Sequence, residues 1–311
     1  MPANGSNSKR EQAEEALDQG LDLLDQGQEE EAGHCFFKSI EIDPTYADGY
    51  NHLGNIAWRK GDWNQAEGLY QKALEVAEPE VKGTPKGGFW GILETRPYMR
   101  AIHGLGLTAW KQGHLDQAID IFNRMLKINP NDNQGVRYLM GPIYHQMGNL
   151  EEAIRWYERN ADDPYSLYNH GLALIQQDKL ERAARILIFA IFMNPYIAPM
   201  LLEEKLPKSD WFHTTGWAQP EYAREYLIDY GTWWEEEEAA LVYLEEIWNS
   251  LEVQQNLKDF IATRRAMKKT KSGDDRVSLG RAGDALVSPD RVAKMARKIF
   301  RHFEKMAKWE G

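Results

Sequence analysis

The sequence predicts an all-α protein, a solenoid of helix–turn–helix repeats followed by a helical C-terminal region. Three observations lead to this prediction. A set of Gly, Ala, aromatic and Pro residues recurs across residues 12–197 with a period near 34. Apolar residues make up 42% of the chain and recur at helical spacing after the repeats end. Trp and Tyr number 11 and 14, which suits packed helices and aromatic-lined grooves.

The most regular repeat contains Gly106, Gly113, Ala118, Phe122 and Pro130. The first Gly and the Ala lack bulk, so two antiparallel helices can approach closely. The second Gly can adopt the left-handed conformation that ends a helix. The aromatic residue fills the gap between neighbouring repeats, and the proline cannot continue a helix, so it separates one repeat from the next.

Four other repeats follow the same spacing and are anchored on Gly20, Gly54, Gly141 and Gly171. Two departures carry structural expectations. Pro142 lies within the first helix of the fourth repeat, so that helix is predicted to kink or to start late. Asp178 replaces the turn glycine of the fifth repeat. The fourth repeat is also four residues short, so its second helix is predicted to lose a turn.

This pattern resembles the tetratricopeptide repeat, a 34-residue helix–turn–helix unit. The resemblance implies a right-handed superhelix whose first helices line a concave groove for a protein or peptide partner. Residues Ile92–Ala101 and Ile128–Met140 further resemble a group of tetratricopeptide repeat proteins whose activity is uncharacterised. That second resemblance therefore adds no activity to the expectation.

The domain organisation follows from where the period is kept and lost. We predict a disordered leader at residues 1–11 and an array of five repeats at 12–197, with an insert at 80–97. A helical capping region at 198–269, a linker at 270–287 and a basic amphipathic helix at 288–311 follow. The insert contains Phe89, Trp90, Ile92 and Leu93, which argue against a solvated loop. Docking of the insert onto the repeats is therefore favoured over use in binding.

Capping signals divide the C-terminal region into helices. Thr232 and Glu235 form a capping-box pattern, which predicts that a helix starts there and carries the following glutamates in its first turn. Another helix is predicted at about residues 253–269. Ser288 and Pro289 predict the start of the last helix, as an N-cap and a proline at the first helical position.

Charge is distributed unevenly along the chain. The formal net charge is -11, but residues 257–311 hold 15 Lys/Arg and 7 Asp/Glu, a local net charge of +8. For the basic helix 288–311 we favour intramolecular docking or a dimer contact. Contact with a partner helix or an anionic membrane surface stays open. Nucleic acid is not expected, because no reader motif accompanies the charge.

Binding is the function that the repeats favour. Groove-facing positions on the first helices carry amide, guanidinium, imidazole and aromatic groups, which suit an extended peptide. The predicted partner-binding residues are Asn51, Asn55, Trp58, Arg100, His103, Trp110, Tyr138, His145, Tyr165 and Tyr168. The predicted function is a non-enzymatic scaffold or adaptor, with unknown oligomeric state.

Two alternatives come from other classes of protein. One is a structural subunit of a complex, with its groove filled internally by residues 80–97 or 288–311. The other is a regulator with an unrecognised activity in the C-terminal region, around Trp211, His213 and Trp217.

Enzymatic chemistry is not predicted, since no nucleotide-binding, zinc-protease or hydrolase motif is present. We predict no catalytic residue, no cofactor and no metal site. Cys35 is the single cysteine, so an intrachain disulfide is excluded. The N-terminal residues lack an apolar signal-peptide core, and no apolar run is long enough to span a bilayer. A cytoplasmic location is the simplest expectation.

Overall fold

A computed structural model describes residues 8–85, 88–211 and 216–307. The chain forms two compact units divided after Met147. We name them the N-terminal unit and the C-terminal unit.

The N-terminal unit contains three complete repeats and the first helix of the fourth. Its helices are α1 (Lys9–Asp25), α2 (Glu29–Ile42), α3 (Ala47–Arg59), α4 (Trp63–Val81), α5 (Arg96–Lys111), α6 (Leu115–Ile128) and α7 (Arg137–Gln146). Each helix packs against its neighbour in sequence, and α3 also packs against α5. The first helices of the second and third repeats therefore lie side by side, as a tetratricopeptide-like array requires.

The C-terminal unit contains the second helix of the fourth repeat, the fifth repeat and the C-terminal helices. Its helices are α8 (Leu150–Arg159), α9 (Pro164–Gln176), α10 (Leu180–Met193), α11 (Ile197–Leu201), α12 (Pro220–Glu235), α13 (Glu238–Trp248), α14 (Leu251–Lys269), α15 (Gly273–Leu286) and α16 (Pro289–Ala307). Together with the N-terminal unit, these elements confirm the predicted all-α class with a helical C-terminal region.

Anchor glycines bring the paired helices of a repeat into contact. A Cβ atom on Gly106 would lie 2.4 Å from a ring carbon of Phe122, and one on Gly171 would lie 2.4 Å from a methyl carbon of Leu187. Phe122 and Leu187 are fully buried. Glycine is therefore required there because the ring or methyl group of the second helix occupies the space of a side chain.

Each repeat turn uses a left-handed residue at the predicted position. Gly113 and Gly148 have φ values of 79° and 76°, and Asp178 takes the same role with φ 56°. A short Asp side chain tolerates this conformation better than most residues do. The fifth repeat therefore keeps its turn without glycine.

The fourth repeat departs as predicted. Helix α7 starts late, at Arg137, with Pro142 inside it. The carboxylate of Asp132 accepts hydrogen bonds from the backbone N–H groups of Val136 and Arg137, at 2.8 and 2.9 Å, and so caps the late start. Helix α8 has ten residues, whereas α6 has fourteen, which matches the predicted loss of a turn.

Three predictions of where helices begin and where the chain is non-helical were wrong. The predicted leader 1–11 is wrong at residues 8–11, because Ser8 and Glu11 form a capping box that starts α1 at Lys9; residues 1–7 lie outside the described ranges. The linker 270–287 contains α15, which Ser272 caps and which lies so close to α14 that a Cβ on Gly283 would be 3.0 Å from Thr263. Gly283, interpreted as a linker residue, therefore permits helix packing.

The predicted helix start at Thr232 was also wrong. Helix α12 runs through Thr232 to Glu235, and α13 starts only at Glu238. Trp234 is fully buried, and its Nε1–H donates to the hydroxyl of Tyr226 at 2.7 Å. Burial of an aromatic side chain stabilises the extra turn more than one N-cap bond would stabilise a new helix start.

Replacing Gly106 with Ala is expected to lower the free energy of unfolding by about 1–3 kcal/mol, because the new methyl group collides with the buried Phe122 ring. Gly68 provides the matched control. It lies exposed in α4, and a Cβ atom added there would have no neighbouring atom within 4 Å, so Gly68→Ala should stabilise by about 0.5–1 kcal/mol. Urea unfolding measures both; equal midpoints for the two variants would contradict the packing role.

Candidate partner-binding face

The candidate face lies in the N-terminal unit, on the first helices of the second, third and fourth repeats. We call it the α3–α5–α7 face, defined by the predicted residues Asn51, Asn55, Trp58, Arg100, His103, Trp110, Tyr138 and His145. The structure places these residues in three different situations: exposed to solvent, partly exposed within a contact, or buried.

Asn51 is buried and ties two repeats together. Its Nδ2 donates to the backbone oxygen of Pro97 at 2.9 Å and to a carboxylate oxygen of Asp48 at 3.1 Å. The side chain is only 1% exposed. Asn51 therefore joins α3 to α5 and leaves the binding to its neighbours.

Asn55 is exposed one turn further along α3. Its Oδ1 accepts a hydrogen bond from the hydroxyl of Tyr70 at 2.7 Å. The Tyr70 ring is the one that fills the space beside Gly54, so the same residue packs the repeat and orients the amide. The amide is held in place and faces solvent, where it can hydrogen-bond a partner backbone.

Arg100 presents a guanidinium group beside α3. Its Nη1 lies 2.7 Å from Oδ2 of Asp48, and the two side chains are 44% and 15% exposed. An ion pair this exposed stabilises the fold little, but it fixes the orientation of the guanidinium. A planar guanidinium has five donors, so Arg100 can hold a partner carboxylate while it stays bound to Asp48.

Two tryptophans provide apolar surface on the face. Trp58 is partly exposed and packs edge-on against Trp63, with ring centroids 5.5 Å apart. Trp110 is also partly exposed, and its Nε1–H donates to Oε1 of Gln146 at 2.8 Å. The hydrogen bond from α5 to α7 fixes the Trp110 indole, and packing against Trp63 restrains the Trp58 indole. Both rings therefore offer rigid contact area.

The remaining residues of the face differ in access. His103 is partly exposed beside Phe122, and burial lowers the pKa of its imidazole while Asp132 opposes that shift. Tyr138 is partly exposed, and its hydroxyl accepts from Nη2 of Arg137 at 2.9 Å. His145 is only 8% exposed, so it lies below the surface and the prediction of a partner contact there is wrong.

In the C-terminal unit, α12 covers the predicted binding residues of the fifth repeat. The ring centroids of Tyr165 and Tyr222 lie 4.1 Å apart, and the Tyr165 hydroxyl donates to the Tyr222 backbone oxygen at 2.8 Å. Tyr168 is fully buried, 5.7 Å from the ring of Tyr226. The prediction that Tyr165 and Tyr168 contact a partner is therefore corrected, because a segment of the same chain occupies their surface.

Sequence reasoning missed the tyrosine stripe that makes this contact. Tyr222, Tyr226 and Tyr230 recur every four residues on α12, so they share one helix face. Tyr226 is fully buried and donates to Oδ1 of Asn169 at 2.8 Å. The four-residue spacing of these tyrosines is visible in the sequence, and it predicts a helix whose aromatic face packs against another element.

The insert 80–97 is docked only in part. Phe89 is 7% exposed against Tyr98, and Trp90 lies under the guanidinium of Arg96 at 5.0 Å. Ile92 and Leu93 remain 39% and 63% exposed. The described residues of the insert pack beside α4 and α5. The favoured docking therefore describes the aromatic residues Phe89 and Trp90 but not the exposed Ile92 and Leu93.

The basic helix α16 docks on its own unit. Its apolar stripe of Val292, Met295 and Ile299 is buried, and the helix packs against α10 and α13. Lys298 forms an ion pair with Glu252 at 2.6 Å. For its described residues 289–307, the structure shows intramolecular docking, one of the two favoured interpretations of this helix; residues 308–311 lie outside the described ranges.

The suggested chemical site around Trp211, His213 and Trp217 finds little support in the described residues. His213 lies outside them. Trp211 and Trp217 both line a cavity of about 210 Å³; Trp211 is buried and donates to the hydroxyl of Tyr196 at 3.1 Å, whereas Trp217 is exposed. The charged side chains of that cavity include Arg264 and Asp284, which pair with each other at 3.5 Å.

Within the described ranges, no three His, Cys, Asp or Glu side chains converge as a metal ion would require. Among the described residues, no helix has the length and hydropathy needed to cross a bilayer.

Comparison with known families and structures identifies the repeat. Models of the tetratricopeptide repeat match residues 47–79 and 109–165. A tetratricopeptide repeat protein from Parabacteroides merdae is similar in structure at 16% identity and a TM-score of 0.47, over 92% of this chain and 98% of that one. The N-terminal domain of stress-induced protein-1 from C. elegans matches at 23% identity and a TM-score of 0.34, over 43% and 98%.

Curated relatives match only over their repeats. Anaphase-promoting complex subunit 3 of Schizosaccharomyces pombe is 25% identical over 173 residues, which are 51% of this chain and 23% of that protein. The probable UDP-N-acetylglucosamine–peptide N-acetylglucosaminyltransferase SPINDLY of Hordeum vulgare is 26% identical over 148 residues, 48% and 14%. This chain spans less than a quarter of either relative.

The contact between α12 and the fifth repeat leads to a prediction. Tyr226→Phe removes the hydroxyl that bonds both Asn169 and Trp234, and leaves two buried polar groups unpaired. The free energy of unfolding should fall by about 1–3 kcal/mol. Tyr50→Phe is the matched control, since its hydroxyl makes an exposed bond to Pro44, and it should change little in urea unfolding. Equal losses in both variants would contradict the network.

A second prediction concerns His170 of the fifth repeat, which is 2% exposed and has no hydrogen-bond partner for either ring nitrogen among the described residues. Burial lowers its pKa to about 4. The unfolded chain therefore binds a proton that the folded chain refuses, and stability falls as the pH drops from about 6.5 to about 4, by roughly 1.4 kcal/mol per pH unit.

Replacing His170 with Leu should flatten that part of the stability profile, measured by urea unfolding at several pH values. His52 and His103, whose pKa values burial also lowers, titrate in the same direction and remain in both proteins. The difference between wild type and variant therefore isolates His170; parallel pH profiles would refute the assignment.

Proposed function

We propose that this chain, whose residues 47–79 and 109–165 match the tetratricopeptide repeat, is a non-enzymatic scaffold that holds a protein or peptide segment on the α3–α5–α7 face. The observation that supports this most is the accessible combination on that face. An oriented amide at Asn55, a guanidinium at Arg100 and the rigid indoles of Trp58 and Trp110 lie on first helices of neighbouring repeats.

The chemistry of those groups defines the partner we propose. An amide hydrogen-bonds a peptide backbone, a guanidinium binds a carboxylate, and an indole packs against an apolar side chain. An extended segment with an acidic group and at least one large apolar residue would use all three. One similar structure, YrrB, is described as a tetratricopeptide repeat protein with an unusual peptide-binding site. That description belongs to YrrB, and our proposal depends on the residues of this chain.

A second candidate function applies to the C-terminal unit. There α12 fills the surface of the fifth repeat with Tyr222 and Tyr226, so that surface serves the unit's own stability. The corresponding function is that of a structural subunit, in which segments of the same chain cover the groove surface of the repeats. Under it, the α3–α5–α7 face would hold no partner.

The test compares two variants as bait in affinity purification with quantitative mass spectrometry. The triple variant Asn55→Ala/Arg100→Ala/Tyr138→Ala removes exposed or partly exposed groups from the face. Each lost contact costs on the order of 1 kcal/mol, so we expect recovery of the specific partners to fall by about tenfold or more.

The control variant Lys72→Ala/Glu75→Ala removes an exposed ion pair on α4, in the same unit. It should recover the wild-type partners, since such pairs contribute little to stability. Circular dichroism and urea midpoints establish that both variants are folded. Unchanged recovery by the triple variant would leave the structural subunit as the better account.

A further inference from the structure

Three adjoining cavities form a continuous depression on the C-terminal unit, which we call the C-terminal basic groove. They measure about 430, 410 and 570 Å³. Leu251 borders the first and the second, and Glu252 and Lys298 border the second and the third. The depression therefore runs from the 205–208 segment, past the start of α14, to the exposed side of α16.

The first cavity has an apolar lining beneath a cationic rim. Trp248, Leu257 and Ile261 line it and are 5%, 3% and 6% exposed. Lys205, Lys208 and Lys258 also line it and are exposed. An apolar side chain of a bound molecule can enter between lysines that attract negative charge around it.

Helix α16 supplies the charge of the far end. Lys294, Arg297, Arg301 and Lys305 line the third cavity and are exposed. They recur at helical spacing and form a stripe of roughly 17 Å at 1.5 Å per residue. The opposite stripe of α16 is buried against α10 and α13, so the basic stripe is fixed towards solvent.

The charge of the groove is strongly one-sided. Nine Lys or Arg side chains and two Glu side chains line the three cavities. Two of the nine cations are already in ion pairs, Lys298 with Glu252 at 2.6 Å and Arg265 with Asp210 at 2.7 Å. The chain as a whole carries a net charge of -11, so this local excess runs against the overall charge.

We propose that the C-terminal basic groove binds an acidic amphipathic peptide segment of a partner protein, one that alternates carboxylates with apolar side chains. Carboxylates pair with the α16 stripe and the lysine rim, and an apolar side chain enters the first cavity beside Leu251, which is 84% exposed. The site lies in the C-terminal unit, so it is independent of the function proposed for the α3–α5–α7 face.

Shape and aromatic exposure favour a peptide over the other anionic partners. A bilayer takes up several protruding apolar side chains, whereas among the described residues Leu251 is the one apolar side chain lining this groove that is more than half exposed, and the apolar stripe of α16 is already buried. Single-stranded nucleic acid is held by exposed aromatic rings on which bases stack. Trp248, the aromatic residue that lines the first cavity, is 5% exposed.

The probe is a fluorescein-labelled synthetic peptide of about 18 residues, with Leu at every third or fourth position and Glu at most others, which as a helix spans roughly 27 Å. Fluorescence anisotropy with the full chain measures its binding. We expect saturable binding that weakens about tenfold or more as salt rises from about 0.05 to about 0.3 M. A peptide with Gln in place of Glu should lose that binding, and one with Ser in place of Leu should bind about tenfold more weakly.

Two groove variants and one matched control are needed. Lys294→Glu/Arg301→Glu/Lys305→Glu reverses the α16 stripe, and Lys208→Glu/Lys258→Glu reverses the rim of the first cavity. Each should weaken the peptide by about tenfold or more. Lys38→Glu/Lys82→Glu/Lys127→Glu makes the same charge change as the α16 variant, at exposed sites of the N-terminal unit, and should bind like wild type.

Several results would overturn the proposal. Equal affinity of wild type and both groove variants is one, and equal binding of the Glu and Gln peptides is another. Tighter binding to phosphatidylserine vesicles or to single-stranded DNA than to the peptide would assign the groove to those ligands. Salt-sensitive self-association of the chain alone in sedimentation, abolished by the α16 variant, would make a second copy the occupant.

Discussion

The contact between a first-helix glycine and a bulky side chain of the second helix organises this structure. Gly20 faces Phe36, Gly54 faces Tyr70, and the third and fifth repeats repeat the pairing with Phe122 and Leu187. Because the glycine removes a Cβ, the two helices approach until the ring or methyl group fills the gap. That distance sets how the first helices of neighbouring repeats lie side by side, and hence which side chains share a face.

Packing and site chemistry are therefore linked through single residues. Tyr70 fills the space beside Gly54 and Gly104, and its hydroxyl holds the amide of Asn55. The Asn51 amide donates to the backbone oxygen of Pro97, and this hydrogen bond joins the second repeat to the third. The groups left for a partner are those that packing orients without burying.

The sequence predicted most of the fold because the repeat is local and periodic. Gly, Ala and aromatic residues at fixed spacing gave the helix pairs, and even Asp178 kept the left-handed turn that its position requires. The site was predicted only in part. Burial of Asn51 and Tyr168 depends on residues distant in sequence, Pro97 and Tyr226, and the spacing within one repeat does not report such contacts.

Errors concentrated where short-range signals compete with packing. Thr232 has the sequence of an N-cap, but burial of Trp234 carries α12 past it. Glycines in residues 270–287 suggested a linker, but Gly283 permits α15 to lie against α14. The stripe of Tyr222, Tyr226 and Tyr230 shows the same effect at the site, since α12 uses it to close the face of the fifth repeat.

The central claim is that the chain holds a partner on the open α3–α5–α7 face while α12 closes the fifth repeat. Site-specific photocrosslinking tests it most directly, with a photoreactive amino acid placed at Asn55, at Lys72 on α4, or at the 83% exposed Ile228 on α12. The account predicts a discrete crosslinked partner from position 55 and none from positions 72 or 228. Crosslinks of equal yield from all three positions, or from position 228 alone, would contradict it.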